Sequence, residues 1–210
     1  MSCDFTGYAD GFETSSYFRL PDFDYIPQYY KPSEEVLKYL DSRKIRVVPE
    51  FIVAPPHNDG VGFLQTHING QVIGLTQRMF NPFGENVRYI YQGRKGSYTG
   101  DISPFYNNNH HIVVFEKMFG MLRALTIATE RNIPLTILSS NGSKLDYKFW
   151  NRFNPANLIF IMDNDMAGNS ARDFLRKLGF NAFSSRQETD MLGDNEMEKL
   201  LINAKSILLR

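Results

Sequence analysis

The segment "LIFIMDNDMAG", residues 158–168, contains five apolar residues that lead directly into two aspartates. Apolar runs of this length are normally buried, whereas carboxylates normally remain at the surface. The segment therefore indicates a buried β-strand that ends where Asp163 and Asp165 begin. A helical pattern follows in "AGNSARDFLRKLG" and stops at Gly179. The residues predicted to face inward on this helix are Ala171, Phe174, Leu175 and Leu178.

Alternating strands and helices extend on both sides of this segment. Upstream, "HIVVF" is a buried-strand run that ends at Glu116, and "MFGMLRALTIATERN" has helical spacing. "PLTILSS" and "FNAFSS" are two further short strands, and an amphipathic helix closes the chain. Strands that alternate with helices imply βαβ crossovers. Residues 111–210 are therefore expected to form an α/β lobe with a mainly parallel four-stranded sheet.

The first half of the chain has a different pattern. Residues 1–32 are rich in aromatic residues, without periodicity, and are expected to form an extended arm. Residues 33–110 predict a β-rich lobe that begins with a short helix capped by Ser33. Asn69-Gly70 between two β-rich runs predicts a tight hairpin turn. The fold class is therefore α/β within the second lobe and α+β for the chain as a whole.

Composition excludes several classes of protein. Cys3 is the only cysteine, so no internal disulfide and no multi-cysteine zinc site is expected. No apolar stretch approaches the roughly 18–20 residues that a membrane helix needs. The N-terminus lacks the basic and apolar regions of a secretory signal, so a cytoplasmic location is expected. The net charge of zero does not by itself indicate a nucleic-acid binder.

The acidic residues that follow the strands are candidate metal ligands. Glu116 follows one buried strand, and Asp163 and Asp165 follow another. In an open parallel sheet, functional groups collect beyond the carboxyl ends of the strands. If the two strands are neighbours, the three carboxylates converge, and oxygen ligands of this kind select Mg²⁺ or Mn²⁺. The structural alternative is that the two aspartates serve as helix caps or turn residues.

A local basic patch lies in "VRYIYQGRKGSYTG" despite the neutral net charge. Arg88, Arg94 and Lys95 are interleaved there with tyrosines. Basic groups neutralise phosphates and aromatic faces stack bases, so this composition suits a single-stranded nucleic acid. An exposed hairpin with ordinary surface charge explains it equally well.

In combination, these motifs resemble a known family. Residues 111–192 resemble a TOPRIM domain, the metal-binding α/β module of bacterial-type primases, topoisomerases and some nucleases. The family has a glutamate at one strand end and D-x-D followed by A-G at a helix start, which Glu116, Asp163 and Asp165 match. The resemblance extends to the catalytic core of bacterial and phage primases over residues 33–192.

The β-rich lobe and the downstream segment carry further matches to primase cores. Arg78 in "NGQVIGLTQRMF" matches a family arginine, and Arg88 in "VRYIYQG" takes the place of a family lysine. Tyr89 matches the tyrosine beside it. "QETDML" resembles an acidic segment of the family, which makes Asp190 a further candidate metal ligand.

The resemblance implies Mg²⁺- or Mn²⁺-dependent synthesis of short RNA primers from ribonucleoside triphosphates on single-stranded DNA. Arg78, Arg88, Arg94 and Lys95 would contact template or triphosphate, although a salt bridge is the structural alternative for Arg78. The family's zinc-binding and helicase domains are not recognised here, so separate partners are expected to supply them. Phage origin, and hence the host cytoplasm, is also implied.

Two positions depart from the family pattern and leave other functions open. Lys117 and Gly120 stand where family members usually have glycine and a second early aspartate. The expected metal site therefore has fewer acidic ligands than the family's site. One alternative is a TOPRIM nuclease that uses the same acids. Another is a non-catalytic nucleic-acid-binding or replisome-assembly protein that retains the TOPRIM scaffold.

Overall fold

The computed structural model describes residues 31–55, 59–66, 72–83, 87–93, 111–142, 145, 150–151 and 153–209. They divide into two compact units. The described residues of Met1–Lys44 and Val48–Gly100 form the first, and those of Ile45–Val47 and Asp101–Arg210 form the second. The predicted N-terminal arm, apart from Lys31 and Pro32, lies outside the described residues. Within the described ranges, no helix has the length and apolar character to cross a bilayer.

The first unit contains one helix and an antiparallel sheet. Helix α1 spans Glu34–Ser42, and the Ser33 hydroxyl caps it as predicted by accepting a hydrogen bond from the Val36 amide. The four strands lie in the order β1-β2-β3-β4, each antiparallel to its neighbour. Strands β2 and β3 form the predicted hairpin, while its Asn69-Gly70 turn lies outside the described residues. The strands are β1 (Ile52–Val53), β2 (Gly60–Thr66), β3 (Val72–Phe83) and β4 (Val87–Gly93).

The second unit contains a four-stranded sheet in which every neighbouring pair is parallel. The strand order is β6-β5-β7-β8, which confirms the predicted α/β lobe. The strands are β5 (Ile112–Phe115), β6 (Thr136–Ser139), β7 (Leu158–Met162) and β8 (Asn181–Ser184). The helices are α2 (Met118–Glu130), α3 (Met166–Lys177) and α4 (Asp194–Leu208).

The sheet residues explain this architecture because the central strands are apolar on both faces. Every residue of β5 and β7 is buried, as a strand covered on both sides requires. Phe160 of β7 packs edge-on against Trp150 and Phe180, with ring centroids 5.2 and 5.5 Å away. Helix α2 packs against β5, β6 and α4, while α3 packs against β7 and β8. The residues that follow β5 and β7 at the carboxyl end of the sheet are therefore supported by a well-packed core.

Fewer side chains of α3 are buried than its sequence predicted. Ala171 and Leu175 are buried, but Phe174 is 45% exposed and Leu178 is 37% exposed. The prediction was wrong for these two residues because β7 and β8 cover only a narrow stripe of this short edge helix. Gly179 ends the helix with a φ of 87°, as predicted, because a residue without a Cβ adopts this conformation readily.

Within the second unit, an ion-pair network connects Arg46 with α2 and α4. The Arg46 guanidinium lies 2.5 Å from Glu130 at the end of α2 and 3.1 Å from Asp194 at the start of α4. The buried Arg123 side chain donates to Asp194 at 2.6 Å and to the Leu192 carbonyl at 3.1 Å. Hydrogen bonding to Arg123, together with Arg46, lowers the pKa of Asp194 despite partial burial. The network therefore fastens α2 to α4 through charges that are mostly compensated.

Candidate active site

Two neighbouring strands bring the predicted acids together. Strands β5 and β7 pair in register, with Phe115 opposite Ile161, so the residues that follow them emerge at the same sheet edge. From β5 the chain continues to β6 on one side, whereas from β7 it continues to β8 on the other. This reversal is a topological switch point, where open α/β sheets form a crevice for ligands. Glu116 and Asp163 stand at that crevice.

Glu116 is bound to the backbone of the neighbouring strand end. The residue is 5% exposed, and its Oε2 accepts a hydrogen bond of 3.0 Å from the Asp163 amide. Burial raises the pKa of the Glu116 carboxyl, and the carboxylates of Asp163 and Asp165 add to this rise. The hydrogen bond from Asp163 and the Lys117 ammonium oppose it. Glu116 is thus a buried acid that is held in one orientation.

Asp163 is more deeply buried, and its two oxygens differ. The residue is 1% exposed, and the Lys117 ammonium lies 2.6 Å from its Oδ2. Its Oδ1 accepts no hydrogen bond from the described residues. A buried carboxylate oxygen normally has a donor or a cation as its partner. Asp163 therefore has one oxygen in an ion pair and a second buried oxygen without a hydrogen-bond donor among the described residues.

Lys117 supplies the positive charge of the cluster. It is the N-cap residue of α2, and its ammonium also lies 3.8 Å from Glu188 Oε1. Burial lowers the pKa of Lys117, but the ion pair with Asp163 and the carboxylates of Glu188 and Glu116 raise it more. The net result is a raised pKa, so Lys117 is protonated at neutral pH.

Asp165 has the structural role that its motif also allowed. It is exposed and forms the N-cap of α3, where its Oδ1 accepts a hydrogen bond of 2.7 Å from the Gly168 amide. A carboxylate at this position also complements the positive end of the helix dipole. Its charge still acts on the site, because it contributes to the raised pKa of Glu116.

Two glycines permit the close packing around these acids. A Cβ on Gly168 would lie closer than 3.0 Å to the Asp163 carbonyl oxygen and to Glu116 Oε2. A Cβ on Gly120 would lie closer than 3.0 Å to the side chain of Thr189. The position that carries the family's second early acid therefore packs directly against Thr189 in this protein.

The remaining predicted site residues are Asp190, Arg78, Arg88, Arg94 and Lys95. Asp190 lies in a 3₁₀ turn, Thr189–Met191, that packs against α2 beside Gly120. Arg78 lies on β3 of the first unit, opposite Val61 and a residue of β4. Arg88 lies on β4, whose side chains are not described, and Arg94 and Lys95 lie outside the described residues.

The donor set at the sheet edge fits a hard cation in its chemistry. Glu116 and Asp163 offer carboxylate oxygens, and Asp163 Oδ1 is a buried oxygen that has no donor in the described part of the chain. Across those same residues, no group of three or more His, Cys, Asp or Glu side chains is arranged to hold a metal ion. The described contacts at this site join two of the predicted acids, Glu116 and Asp163, to the Lys117 ammonium.

Sequence reasoning did not assign Lys117, Glu188 or Thr189 to the site. For Lys117 a signal existed, because a basic residue directly after a buried strand and its terminal acid needs a nearby counter-charge. For Thr189 the only signal was that Gly120 lies within an otherwise apolar helix. Glycine is unfavourable within a helix unless close packing requires it.

Solved primase structures have a fold similar to that of this chain. No family model and no curated protein sequence matches the chain. The Aquifex aeolicus primase (zinc-binding and RNA polymerase domains) aligns with a TM-score of 0.53 and 18% identity, over 83% of this chain and 50% of that one. The DnaG catalytic core aligns with a TM-score of 0.52 and 15% identity, over 86% of this chain and 79% of that one.

A phage structure has the same likeness. The primase fragment of the bacteriophage T7 primase-helicase protein aligns with a TM-score of 0.50 and 15% identity, over 73% of this chain and 64% of that one. The aligned region thus spans only half of the Aquifex chain and less than two thirds of the phage fragment. At identities this low, structural likeness establishes the fold alone. The chain has the fold of a DnaG-type primase catalytic core.

Proposed function

We propose that this protein is the catalytic core of a primase-like nucleotidyltransferase, which synthesises short RNA primers on single-stranded DNA. One observation carries the proposal. Glu116 and the buried Asp163 stand together at the switch point of a primase-core sheet, and Asp163 Oδ1 has no donor among the described residues. A buried carboxylate oxygen in such a crevice suits a cation that bridges to phosphates.

The acids would hold Mg²⁺ or Mn²⁺ in this proposal. Asp163 Oδ1 and Glu116 would be the principal ligands, with Asp165 and Asp190 as additional acids at the crevice. When bound, the cation lowers the pKa of an attacking 3′-hydroxyl and neutralises charge on a leaving pyrophosphate. The hydrogen bond from the Asp163 amide holds Glu116 in place, so the two carboxylates are oriented before any ligand arrives.

The basic residues of the first unit would bind the nucleic acid or the nucleotide. Arg78 and Arg88 lie on adjacent strands, and guanidinium groups make forked, charge-assisted contacts with phosphates. Arg94 and Lys95 directly follow β4 in sequence and would extend this basic track. Single-stranded DNA is the template we propose, and ribonucleoside triphosphates are the substrates.

The proposed function implies partners for the steps that a core alone does not perform. A helicase opens duplex DNA, and a zinc-binding module recognises the template. We propose that separate proteins supply both activities during replication, as in a phage that replicates in its host's cytoplasm. The phage fragment of similar fold comes from a primase-helicase protein, which supports an association of this kind.

A second function is favoured by one observation. The Lys117 ammonium already neutralises Asp163, so this carboxylate does not require a metal ion for its burial. The cost of burying an uncompensated carboxylate therefore no longer argues against a non-catalytic nucleic-acid-binding or replisome-assembly protein. The same ion pair distinguishes the two candidates, because only the catalytic one requires the pair to open.

Primer synthesis by purified protein tests the proposal. The protein is incubated with single-stranded DNA, labelled ribonucleoside triphosphates and Mg²⁺ or Mn²⁺, with and without a helicase. We expect oligoribonucleotides from the wild type and none from Asp163→Asn. Asp173→Asn, which changes an exposed aspartate of α3, is the matched control and should retain activity.

The other outcomes separate the alternatives. Shortening of the DNA without ribonucleotides, abolished by Asp163→Asn, would replace the proposal with a TOPRIM nuclease. DNA binding without either product, by wild type and Asp163→Asn alike, would replace it with a non-catalytic binding protein. Circular dichroism of each variant verifies that a loss of activity is not a loss of folding.

A further inference from the structure

We propose that Lys117 is a built-in counter-ion, which occupies the acidic site in place of a divalent cation and must be displaced before that cation binds. The proposal rests on the cation site of the proposed function but does not require primer synthesis. It assigns a specific role to a lysine at a position where the family that this sequence resembles usually has glycine.

The position of Lys117 carries the first step of the argument. The residue follows Glu116 directly and begins α2, and its side chain makes no capping hydrogen bond to that helix. Instead, the side chain reaches across the switch point to β7, where the ammonium lies 2.6 Å from Asp163 Oδ2. Its location is thus decided by the carboxylate and not by the helix.

The burial of the two partners differs, which carries the second step. The Asp163 side chain is 2% exposed, whereas the Lys117 side chain is 37% exposed. Asp163 cannot leave the site without disrupting β7, but Lys117 can turn toward solvent. If it does, a buried carboxylate loses its positive partner, which is strongly unfavourable unless another cation replaces it. The two cations are therefore alternative occupants of one carboxylate.

Electrostatic repulsion opposes the simultaneous binding of both cations to Asp163. An ammonium on Oδ2 and a divalent ion on Oδ1 of one buried carboxylate lie close enough to repel each other, so each cation weakens the binding of the other. The exposed Glu188 carboxylate has its Oε1 3.8 Å from the ammonium. It can therefore form an ion pair with Lys117 once the lysine leaves Asp163. Displacement thus requires a side-chain rotation and no change in the fold.

Direct metal binding by the full chain provides the test. Mn²⁺ affinity is measured by electron paramagnetic resonance for the wild type, Lys117→Met, Lys117→Arg and Lys199→Met. Methionine retains a long apolar side chain without charge, and Lys199 is an exposed lysine on α4. We expect Lys117→Met to bind Mn²⁺ about tenfold more tightly or better, and the other two variants to behave as the wild type.

A second measurement covers the case in which Lys117→Met is poorly folded without metal. Because a bound ion stabilises only the folded state, saturating Mn²⁺ should raise the melting temperature of Lys117→Met far more than that of the wild type. The double variant Lys117→Met, Asp163→Asn should lose this rise. Equal Mn²⁺ affinity in wild type and Lys117→Met, or no binding by either, overturns the proposal.

The outcome is separable from that of the proposed function. If Lys117→Met binds Mn²⁺ more tightly but the protein makes no RNA, the counter-ion proposal is supported and the primase proposal is rejected. RNA synthesis with unchanged Mn²⁺ affinity in Lys117→Met would reject the counter-ion and retain the primase.

Discussion

Glu116 accepts a hydrogen bond from the backbone amide of Asp163, with 3.0 Å between Oε2 and the amide nitrogen. One contact therefore joins the ends of the two central strands and orients both candidate acids. The carboxylate of Glu116 thus has a structural role in addition to any chemical one. Substitutions that preserve the acceptor but remove the charge can separate the two roles.

The first prediction separates the hydrogen bond of Glu116 from its charge. Glu116→Gln retains a carbonyl oxygen that can accept from Asp163, whereas Glu116→Ala leaves a buried amide without a partner. We expect Glu116→Ala to be less stable than Glu116→Gln by about 1–3 kcal/mol in urea unfolding. Both variants should lose primer synthesis. Equal stability of the two would show that this hydrogen bond contributes little.

The second prediction concerns pH. The pKa of Glu116 is raised in the folded protein above its ordinary value of 4.5, mainly by burial, so the folded state binds its proton more tightly than the unfolded state. The stability from this group is complete below the unfolded pKa and is lost as pH rises through the folded pKa. Without divalent cations, the wild type should therefore lose stability relative to Glu116→Gln as pH rises above 4.5 and through the raised pKa of Glu116 in the folded protein.

The comparison with Glu116→Gln isolates this effect from acids that act in the opposite direction. Hydrogen bonding to Arg46 lowers the pKa of Glu130, and hydrogen bonding to Arg123 lowers that of Asp194. Their stability is lost as pH falls, but they are present in both proteins and cancel. A difference in unfolding free energy that does not vary with pH would contradict the prediction.

The third prediction concerns Gly168. In Gly168→Ala the new Cβ would press on the Asp163 carbonyl oxygen and on Glu116 Oε2. The backbone oxygen cannot move away as a side chain could, so we expect a loss of about 1–3 kcal/mol in unfolding free energy and weaker Mn²⁺ binding. Ser170→Ala, on an exposed turn of the same helix, should change stability by less than about 0.5 kcal/mol.

The fourth prediction addresses the missing second acid. Because Gly120 packs against Thr189, Gly120→Asp should destabilise the protein by about 1–3 kcal/mol and should not improve activity. Adding Thr189→Gly removes the side chain in the way and should recover part of this loss. Thermal melts and primer assays of the single and double variants provide the test. Full stability of Gly120→Asp alone would contradict the packing explanation.

The fifth prediction concerns the pair that joins α2 to α4. Asp194→Ala leaves the buried Arg123 without its carboxylate partner, and we expect a loss of about 2–3 kcal/mol because Asp194 is itself partly exposed. Arg123→Met, Asp194→Ala should be less destabilised than Asp194→Ala alone. Glu198→Ala, which removes a longer and more exposed pair with Arg131, should change stability by less than about 0.5 kcal/mol.

Local patterns in the sequence determined the elements of this protein. Short apolar runs predicted β5, β6 and β7, because strands that are covered on both faces contain few polar residues. Ser33 and Gly179 predicted a helix start and a helix end, because these residues satisfy local backbone requirements. The acids at two strand ends, Glu116 and Asp163, were predicted from the same local reading.

Tertiary packing decided what these elements do together. Pairing of β5 with β7 placed Glu116 against Asp163, 47 residues away in sequence. The same packing placed Thr189 against Gly120 and left the Phe174 side chain exposed. Neither result follows from helical or strand periodicity. The Lys117 ion pair likewise formed because burial of Asp163 required a nearby positive charge. Periodicity specifies which face of an element is buried, but only the assembled sheet specifies which charges share that burial.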